Sequence, residues 1–331
     1  MKVLVTGATG FIGWHVAKIL REKALSVVAL VRGGSDSSVL RPLDVEVRTG
    51  DVRDYNSVCK ALKGCQQLYH LAADYRLWIP EPEPMYETNV QGTRNIMEAA
   101  LQVGIERVIY TSTVGTLAAS SKAKISDENS QAELREMVGH YKRSKFIAEQ
   151  EVNHFISRGV PVVIVSPSTP IGPMDRKPTP TGQIIVDFLN GRIPAFLDTG
   201  LNFVDVEDVA NGHWLASLNG RIGQRYILGG KNLTLSEFLK SIAEMTGREP
   251  PRVRLPYLPV LIAAHLNEAL SSWITKTPPR IPLTGVKMAR NYMFFDCSKA
   301  VRELHMPQNP IEGAIERAIT WFRDNGYIAK S

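Results

Sequence analysis

The sequence predicts an α/β protein: a doubly wound parallel sheet with helices on both faces, followed by a smaller and mostly helical domain. Three observations predict it. Short apolar, β-branched runs alternate with helical apolar patterns through the first half of the chain. Strands separated by helices need right-handed crossovers and therefore make a parallel sheet. Gly7, Gly10 and Gly13 stand between the first run and the first helical pattern, and the alternation stops at Ser166, where prolines and helical patterns take over.

Each element has its own local reason. Lys2–Thr6 is the first strand, and Phe11, Ile12, Val16, Ile19 and Leu20 mark the helix after it. Ser26–Val31 is the second strand and Val45–Arg48 the third, leading into Gly50 and Asp51. Asp54 can cap a short helix that runs to Leu62. Gln67–Leu71 is the fourth strand. A helix from about Met85 to Val103 stops at Gly104. Arg107–Tyr110 is the fifth strand and runs into Thr111, Ser112 and Thr113. A helix from Tyr141 to about Ser157 precedes Gly159, and Val162–Ser166 is the sixth strand. Pro167 to Pro180 contains five prolines, so a loop of fixed shape is expected there rather than strand or helix. Thr234 and Glu237 form a capping box for a helix to about Met245, closed by Gly247. Ile311–Phe322, after Pro310, is an amphipathic terminal helix. These patterns divide the chain into a nucleotide-binding domain, 1–166 with 202–228 returning to it, and a substrate-binding domain, 167–201 and 229–331.

The 331 residues are 44% hydrophobic and 22% charged, an ordinary globular composition with room for one large core or two unequal ones. The net charge of +6 reads as a mild basic balance spread along the chain. No basic stripe is interleaved with aromatics, so nucleic acid is not an expected partner. Cys59, Cys65 and Cys297 form neither a disulfide framework nor a metal-ligand spacing, which fits a reducing, cytoplasmic setting. The N-terminus reads as core strand rather than signal peptide, and no apolar run reaches the ~20 residues of a bilayer span.

The glycine spacing carries the first chemical inference. In a strand-turn-helix, the first glycine permits the tight turn. The second lets backbone approach a pyrophosphate, and the third lets the helix pack on the strand. The anion rests on the N–H groups of the helix N-terminus. Gly7, Thr9, Gly10, Phe11 and Ile12 are therefore candidate dinucleotide contacts. An NAD enzyme places an acid at the end of the second strand to hold the ribose 2′-hydroxyl. This strand ends Ala29-Leu30-Val31-Arg32-Gly33. A guanidinium there suits a 2′-phosphate, so NADP(H) is expected over NAD(H), although Asp36 is within reach of a ribose.

Tyr141 and Lys145 are four apart on one helix and share a face. An ammonium beside a phenol favours the phenolate, so the tyrosine can exchange a proton with an alcohol or carbonyl oxygen. Thr113, just past the fifth strand, can hold the same oxygen. A hydroxyl, a tyrosine and a lysine beside a nicotinamide make a complete hydride-transfer site.

Together, Thr6-Gly-Ala-Thr-Gly-Phe-Ile-Gly13, His70-Leu-Ala-Ala73, Asn89-Val-Gln-Gly-Thr93, Tyr110-Thr-Ser-Thr113 and Tyr141-Lys-Arg-Ser-Lys145 resemble the extended short-chain dehydrogenases/reductases, with a Rossmann-type first domain. The resemblance implies that Tyr141 is the general acid/base and that Lys145 holds the nicotinamide ribose and tunes Tyr141. It gives Thr113 the hydroxyl role, with Ser112 as fallback. It adds Asp51 and Val52 at the adenine, Leu71, Ala72 and Ala73 along the cofactor, Thr111 at the nicotinamide end, and Pro167 to Thr169 covering it. It also implies a homodimer built on the Tyr141 helix. Ala72-Ala-Asp-Tyr-Arg-Leu-Trp78, Val286-Lys-Met-Ala-Arg290 and Tyr292-Met-Phe-Phe295 are similar to hopanoid-associated sugar epimerases and their relatives, the dihydroflavonol 4-reductases. Sugar 4,6-dehydratases follow the threonine with Asp-Glu, whereas this chain has Val114-Gly115.

The expected reaction is NADP(H)-dependent reduction of a ketone or aldehyde, or oxidation of a secondary alcohol, in hopanoid metabolism. The alternatives are a nucleotide-sugar epimerase working through a transient keto intermediate and a non-catalytic NADP-binding sensor. Leu255–Ile274 reads as a packed helix of the second domain, with weak peripheral membrane contact as the other reading. His70 is expected to be a core histidine, and Asp205 and Asp208 capping or loop acids. Arg76, Arg176 and Arg290 are surface charges that can meet a substrate anion, and Trp78 and Phe203 line either the pocket or the core.

Overall fold

A computed structural model describes residues 1–120, 125–271, 276, 277, 279 and 282–329. The strands are β1 (Lys2–Thr6), β2 (Ser26–Val31), β3 (Glu46–Thr49), β4 (Gln67–His70), β5 (Arg107–Thr111), β6 (Val162–Pro167), β7 (Thr169–Ile171), β8 (Ala195–Leu197), β9 (Gly200–Asp205), β10 (Arg225–Leu228), β11 (Lys231–Thr234) and β12 (Val253–Leu255). The helices are α1 (Phe11–Glu22), α2 (Tyr55–Leu62), α3 (Glu83–Tyr86), α4 (Gly92–Val103), α5 (Gly139–Ser157), α6 (Pro180–Leu189), α7 (Val206–Asn219), α8 (Leu235–Thr246), α9 (Tyr257–Leu270), α10 (Leu283–Met288) and α11 (Ile311–Asp324).

Seven parallel strands form the central sheet in the order β10-β6-β5-β4-β1-β2-β3. From β1 the chain winds outward to β2 and β3, then crosses back to β4 and winds the other way. The direction reverses between β1 and β4, and a crevice opens at their carboxyl ends, where open α/β sheets take their ligands. Alternation along β1 sends Val3 and Val5 into one core with Val16 and Leu20 of α1 and Val209 of α7. It sends Leu4 into the opposite core with Val58 of α2, Ile96 of α4 and Val152 of α5. Both faces of the sheet are covered, which is why its strands read as continuous apolar runs.

A smaller sheet, β11-β9-β7, and a β8–β12 pair lie beyond β6. Here Phe203 stacks on Phe238 at 4.1 Å and packs with Ile185, Ile315 and Phe322, so Phe203 is core and not pocket lining. Two expectations are corrected and a third is narrowed. The Pro167–Pro180 segment is not all loop: Thr169–Ile171 forms β7, parallel to β9. Proline is tolerated there because β7 is an edge strand, whose outer N–H groups need no ladder partner. The expected helix from Met85 is interrupted by a π-helical turn, Glu87–Gln91, before α4. Asn89 at that turn exchanges bonds with Asp74 N (2.7 Å) and Asp74 O (2.8 Å) and donates to Ser144 Oγ (2.9 Å). Finally, the helix expected in Leu255–Ile274 is packed on one side only: α9 rests against α10, Ala264 is its buried residue, and residues 272–274 lie outside the described ones.

Candidate active site

The crevice is built by β1, β4 and α1. Gly7 has φ +75°, and a Cβ on it would lie 2.8 Å from the backbone N of Ala72. A Cβ on Gly13 would collide with the carbonyl oxygen of Gly7. Glycine at these two positions is therefore a steric requirement. Gly10 N–H donates to Gly7 O at 2.9 Å, and α1 starts at Phe11 without a side-chain cap. Its first-turn N–H groups have no intrahelical partner and sit at the positive end of the helix dipole. This uncapped end, closed on its far side by Leu71 and Ala72, fits a dinucleotide pyrophosphate.

Thr6 and His70 fix the two strand ends together. Thr6 Oγ1 accepts from the N–H groups of Leu71 and Ala72, each at 3.1 Å, so its own proton goes to His70 Nδ1 at 2.8 Å. His70 Nε2–H then donates to Thr93 Oγ1 (3.2 Å), which donates to Asn89 O (2.7 Å). Burial drives the His70 pKa down to about 3, with the Lys145 charge a smaller cause, so the ring is neutral and structural.

At the ribose end, Arg32 is exposed just past β2; the Arg53 guanidinium chiefly holds the Asp51 carboxyl below its ordinary range and, against burial, Arg76 holds that of Asp74, with the Arg32 charge the smallest contributor to each. Asp36 is engaged by Arg176 (2.9 Å) and by Ser38 N (2.9 Å) and Oγ (2.5 Å), which hold its carboxyl well below the usual carboxylate range. The Asp51 carboxylate is gripped by the Arg53 guanidinium at 2.8 Å. Val52 is buried, with its carbonyl bonded to Asn95 Nδ2 at 3.0 Å. Arg76 pairs with Asp74 at 2.5 Å.

At the other end, three hydroxyls follow one another and point in three directions. Thr111 Oγ1 meets His213 Nε2 at 3.0 Å on the α7 side of the sheet. Ser112 Oγ donates to Glu149 on the α5 side, so the fallback hydroxyl is already taken. Thr113 Oγ1 accepts from Gly115 N at 3.1 Å, and its hydroxyl lies near enough to the Tyr141 phenol to lower the phenol's pKa. Lys145 Nζ donates to Thr111 O at 2.7 Å and Tyr110 Oη at 3.1 Å. Burial pushes Tyr141 up to about 12 against a lowering by Thr113, and burial pulls Lys145 down to about 7. In this structure the Lys145 ammonium lies on Tyr110 and Thr111, and desolvation dominates at Tyr141.

Two residues went unnoticed in the sequence. Glu149, one helical step beyond Tyr141 and Lys145 on the same face of α5, joins Ser112 and Arg225 in a buried ion-paired cluster that Thr116 also touches. The four-residue spacing was a signal for it. Lys142 packs its stem over Gly115, where a Cβ would lie 3.3 Å from its Cε, and burial lowers its pKa to about 8. The missing side chain at Gly115 is the space that Lys142 fills. Beside Pro167, Ser166 and Ser168 bury hydroxyls that find no partner among the described residues, while Thr169 opens β7.

The remaining candidates are structural or lie elsewhere. Asp205 caps α7, accepting from Glu207 N at 3.0 Å, and pairs with Arg317. Asp208 is buried, accepts from Asn309 N at 2.7 Å, and is raised by burial to about 6. Trp78 is half-buried. Arg290 lines a cleft of about 570 Å³ with Arg254, Leu255, Tyr257 and Tyr292.

A family profile described as NAD dependent epimerase/dehydratase family matches residues 3–229. Among curated proteins, a Synechocystis protein named "Putative dihydroflavonol 4-reductase" is 42% identical over 98% of this chain and 95% of its own length. The sterol demethylase protein B of Methylococcus capsulatus is 32% identical over 99% of this chain and 100% of its own. Among solved structures, a nucleoside-diphosphate-sugar epimerase from Pseudomonas aeruginosa superposes with TM-score 0.83 at 26% identity, covering 99% of both chains.

Proposed function

The chain belongs to the NAD dependent epimerase/dehydratase family, and from that membership and the geometry of the crevice we propose that it is an NADP(H)-dependent oxidoreductase, reducing a ketone or aldehyde or oxidising a secondary alcohol. The observation that carries this reading is the convergence of the Tyr141 phenol and the Thr113 hydroxyl, close enough for Thr113 to lower the phenol's pKa, with Lys145 one helical turn further on.

In this mechanism the nicotinamide, when bound, supplies or accepts the hydride. The substrate oxygen takes the place between Thr113 and Tyr141. Thr113 orients that oxygen. Tyr141, protonated near neutral pH because burial holds it up to about 12, gives its proton to the oxygen as a reduction proceeds and receives it in the reverse direction. Lys145, anchored through Thr111 O, supports the phenolate left behind and has ammonium protons for a ribose hydroxyl. The β1–α1 turn holds the pyrophosphate, with Gly7, Thr9, Gly10, Phe11 and Ile12 as its contacts. Asp51, Val52, Leu71, Ala72, Ala73, Thr111, Pro167 and Thr169 complete the cofactor's surroundings. Lys142, beside Thr113 and Gly115, faces substrate and favours one carrying negative charge near its carbonyl.

NADP(H) is favoured over NAD(H) because Arg32 ends β2 where an acid would hold a ribose diol, and Asp36 is committed to Arg176. The second reading, a nucleotide-sugar epimerase, draws on the similarity to the Pseudomonas aeruginosa structure. The two readings separate in one assay. The protein is mixed with NADPH and a panel of phenolic ketones, polycyclic-lipid ketones and nucleotide sugars, and absorbance is followed. Consumption of NADPH with a carbonyl substrate is expected. Sugar interconversion without added cofactor would overturn the reductase reading in favour of the epimerase. A homodimer on the outer faces of α4 and α5 is part of the proposal, and sedimentation velocity tests it.

A further inference from the structure

We infer that α9 is a peripheral docking element that lies flat on an anionic lipid surface. Leu258, Ile262, Leu266 and Leu270 recur every four residues along it and are 69, 62, 69 and 46% exposed. Four-residue spacing keeps them on one face of a helix. Val253 and Leu255, just ahead of the helix, are exposed as well, and so are Pro256 and Pro259. The other side of α9 is the one that packs. Ala264 is buried, and Glu268 accepts from Leu283 N of α10 at 3.1 Å. A contiguous apolar helix face turned to solvent is unusual in a protein whose sheet and smaller domain bury their large apolar side chains, and such faces mark interaction surfaces.

Charge identifies the occupant. The net positive charge is not spread evenly, as the whole-chain balance suggests. Residues 248–290 hold seven cations (Arg248, Arg252, Arg254, Lys276, Arg280, Lys287 and Arg290) against two carboxylates, Glu249 and Glu268. This segment therefore carries five of the six net positive charges of the chain. Two of the arginines are paired, Arg252 with Glu249 and Arg254 with Asp198, and Lys276 and Lys287 are exposed. An apolar stripe flanked in sequence by basic residues is complementary to acyl chains beneath a negative headgroup layer. A second copy of the same face would bring its basic flanks against each other, which disfavours self-association there. No helix of the described residues is long and apolar enough to cross a membrane, so contact is in-plane.

Co-sedimentation with vesicles tests this without substrate or cofactor, so its outcome is independent of the proposed reaction. The full chain should pellet with phosphatidylcholine vesicles containing phosphatidylglycerol, far less with phosphatidylcholine alone, and less as salt is raised. Leu258→Glu/Leu266→Glu changes two solvent-facing side chains and should abolish pelleting while keeping the wild-type circular dichroism melt. Lys276→Glu/Lys287→Glu should weaken pelleting at least about thirtyfold on anionic vesicles. Absence of vesicle binding in the wild type, or binding that survives Leu258→Glu/Leu266→Glu, overturns the proposal. So does a wild-type dimer in sedimentation velocity that the same leucine variant dissociates, with no vesicle binding.

Discussion

Tyr141 and Arg32 carry separable predictions. Tyr141→Phe keeps the ring and its packing and removes the proton that reaches the substrate oxygen. Turnover should fall by about 10²–10⁴ while NADPH affinity, read by fluorescence titration, stays near wild type. Unchanged turnover would remove Tyr141 from the chemistry. Arg32 stands exposed at the end of β2. Arg32→Ala removes a charge-assisted contact worth about 1.5–3 kcal/mol, so NADP(H) affinity should drop by roughly ten- to a hundredfold, with NAD(H) little changed. Equal loss for both cofactors would show that the guanidinium does not read the 2′-phosphate. The motif could name Thr111, Ser112 and Thr113 together but not rank them by geometry. Successive residues leaving a strand face opposite sides of the sheet, so the partner each finds depends on which helix lies there. His213 waits for Thr111, Glu149 for Ser112 and Tyr141 for Thr113.

Helix α5 does two tasks along one face. Tyr141 and Lys145 stand at its N-terminal half in the crevice, and Glu149 follows in the buried cluster with Ser112 and Arg225. Because Ser112 precedes Thr113, this cluster holds the loop that carries the hydroxyl proposed to orient the substrate oxygen. Glu149→Ala leaves the Arg225 guanidinium buried without its carboxylate and should cost about 3–5 kcal/mol of stability by urea unfolding. Loss below about 1 kcal/mol would mean that Arg225 reaches solvent or a new partner. At the other end of the site, Gly13→Ala would force α1 away from the carbonyl of Gly7. Loss of NADPH binding is the expected result, and retained affinity would show that the cradle relaxes.

Across the whole molecule, buried ionisable groups set how stability follows pH. Lys145 titrates at about 7 and Lys142 at about 8 in the folded protein, both pulled down by burial from 10.5. Between those values and 10.5 the unfolded chain binds more protons than the folded one, so stability rises with pH. Tyr141 and Tyr69, both pushed up to about 12 by burial, act oppositely above pH 10, where the unfolded chain loses protons that the folded one keeps. The melting temperature should therefore climb from pH 7 to about 9. Lys145→Met should remove most of that slope and Lys142→Met part of it, by calorimetry. A slope unchanged in the double variant would place the titration on other groups.

Much of the architecture was legible because it rests on short-range rules. Alternating apolar runs, the capping box at Thr234 and Glu237 and the left-handed stop at Gly247 predicted elements that form where expected. The glycine turn and the Tyr141–Lys145 spacing pointed to one crevice, because strand ends and helix faces follow from period alone. Other features needed neighbours that are distant in sequence. Thr169–Ile171 becomes a strand because β9 lies beside it, and Asp36 is withdrawn from a ribose because Arg176 reaches it across 140 residues. The apolar pattern of α9 reads the same whether it is covered or bare. Period and composition tell which residues share a face, but burial and partnership depend on what the fold brings against that face. That is why the sequence specifies a dinucleotide crevice and its chemical groups, while the direction of each hydroxyl, the protonation of Tyr141 and Lys145 and the exposure of α9 are properties of the assembled chain.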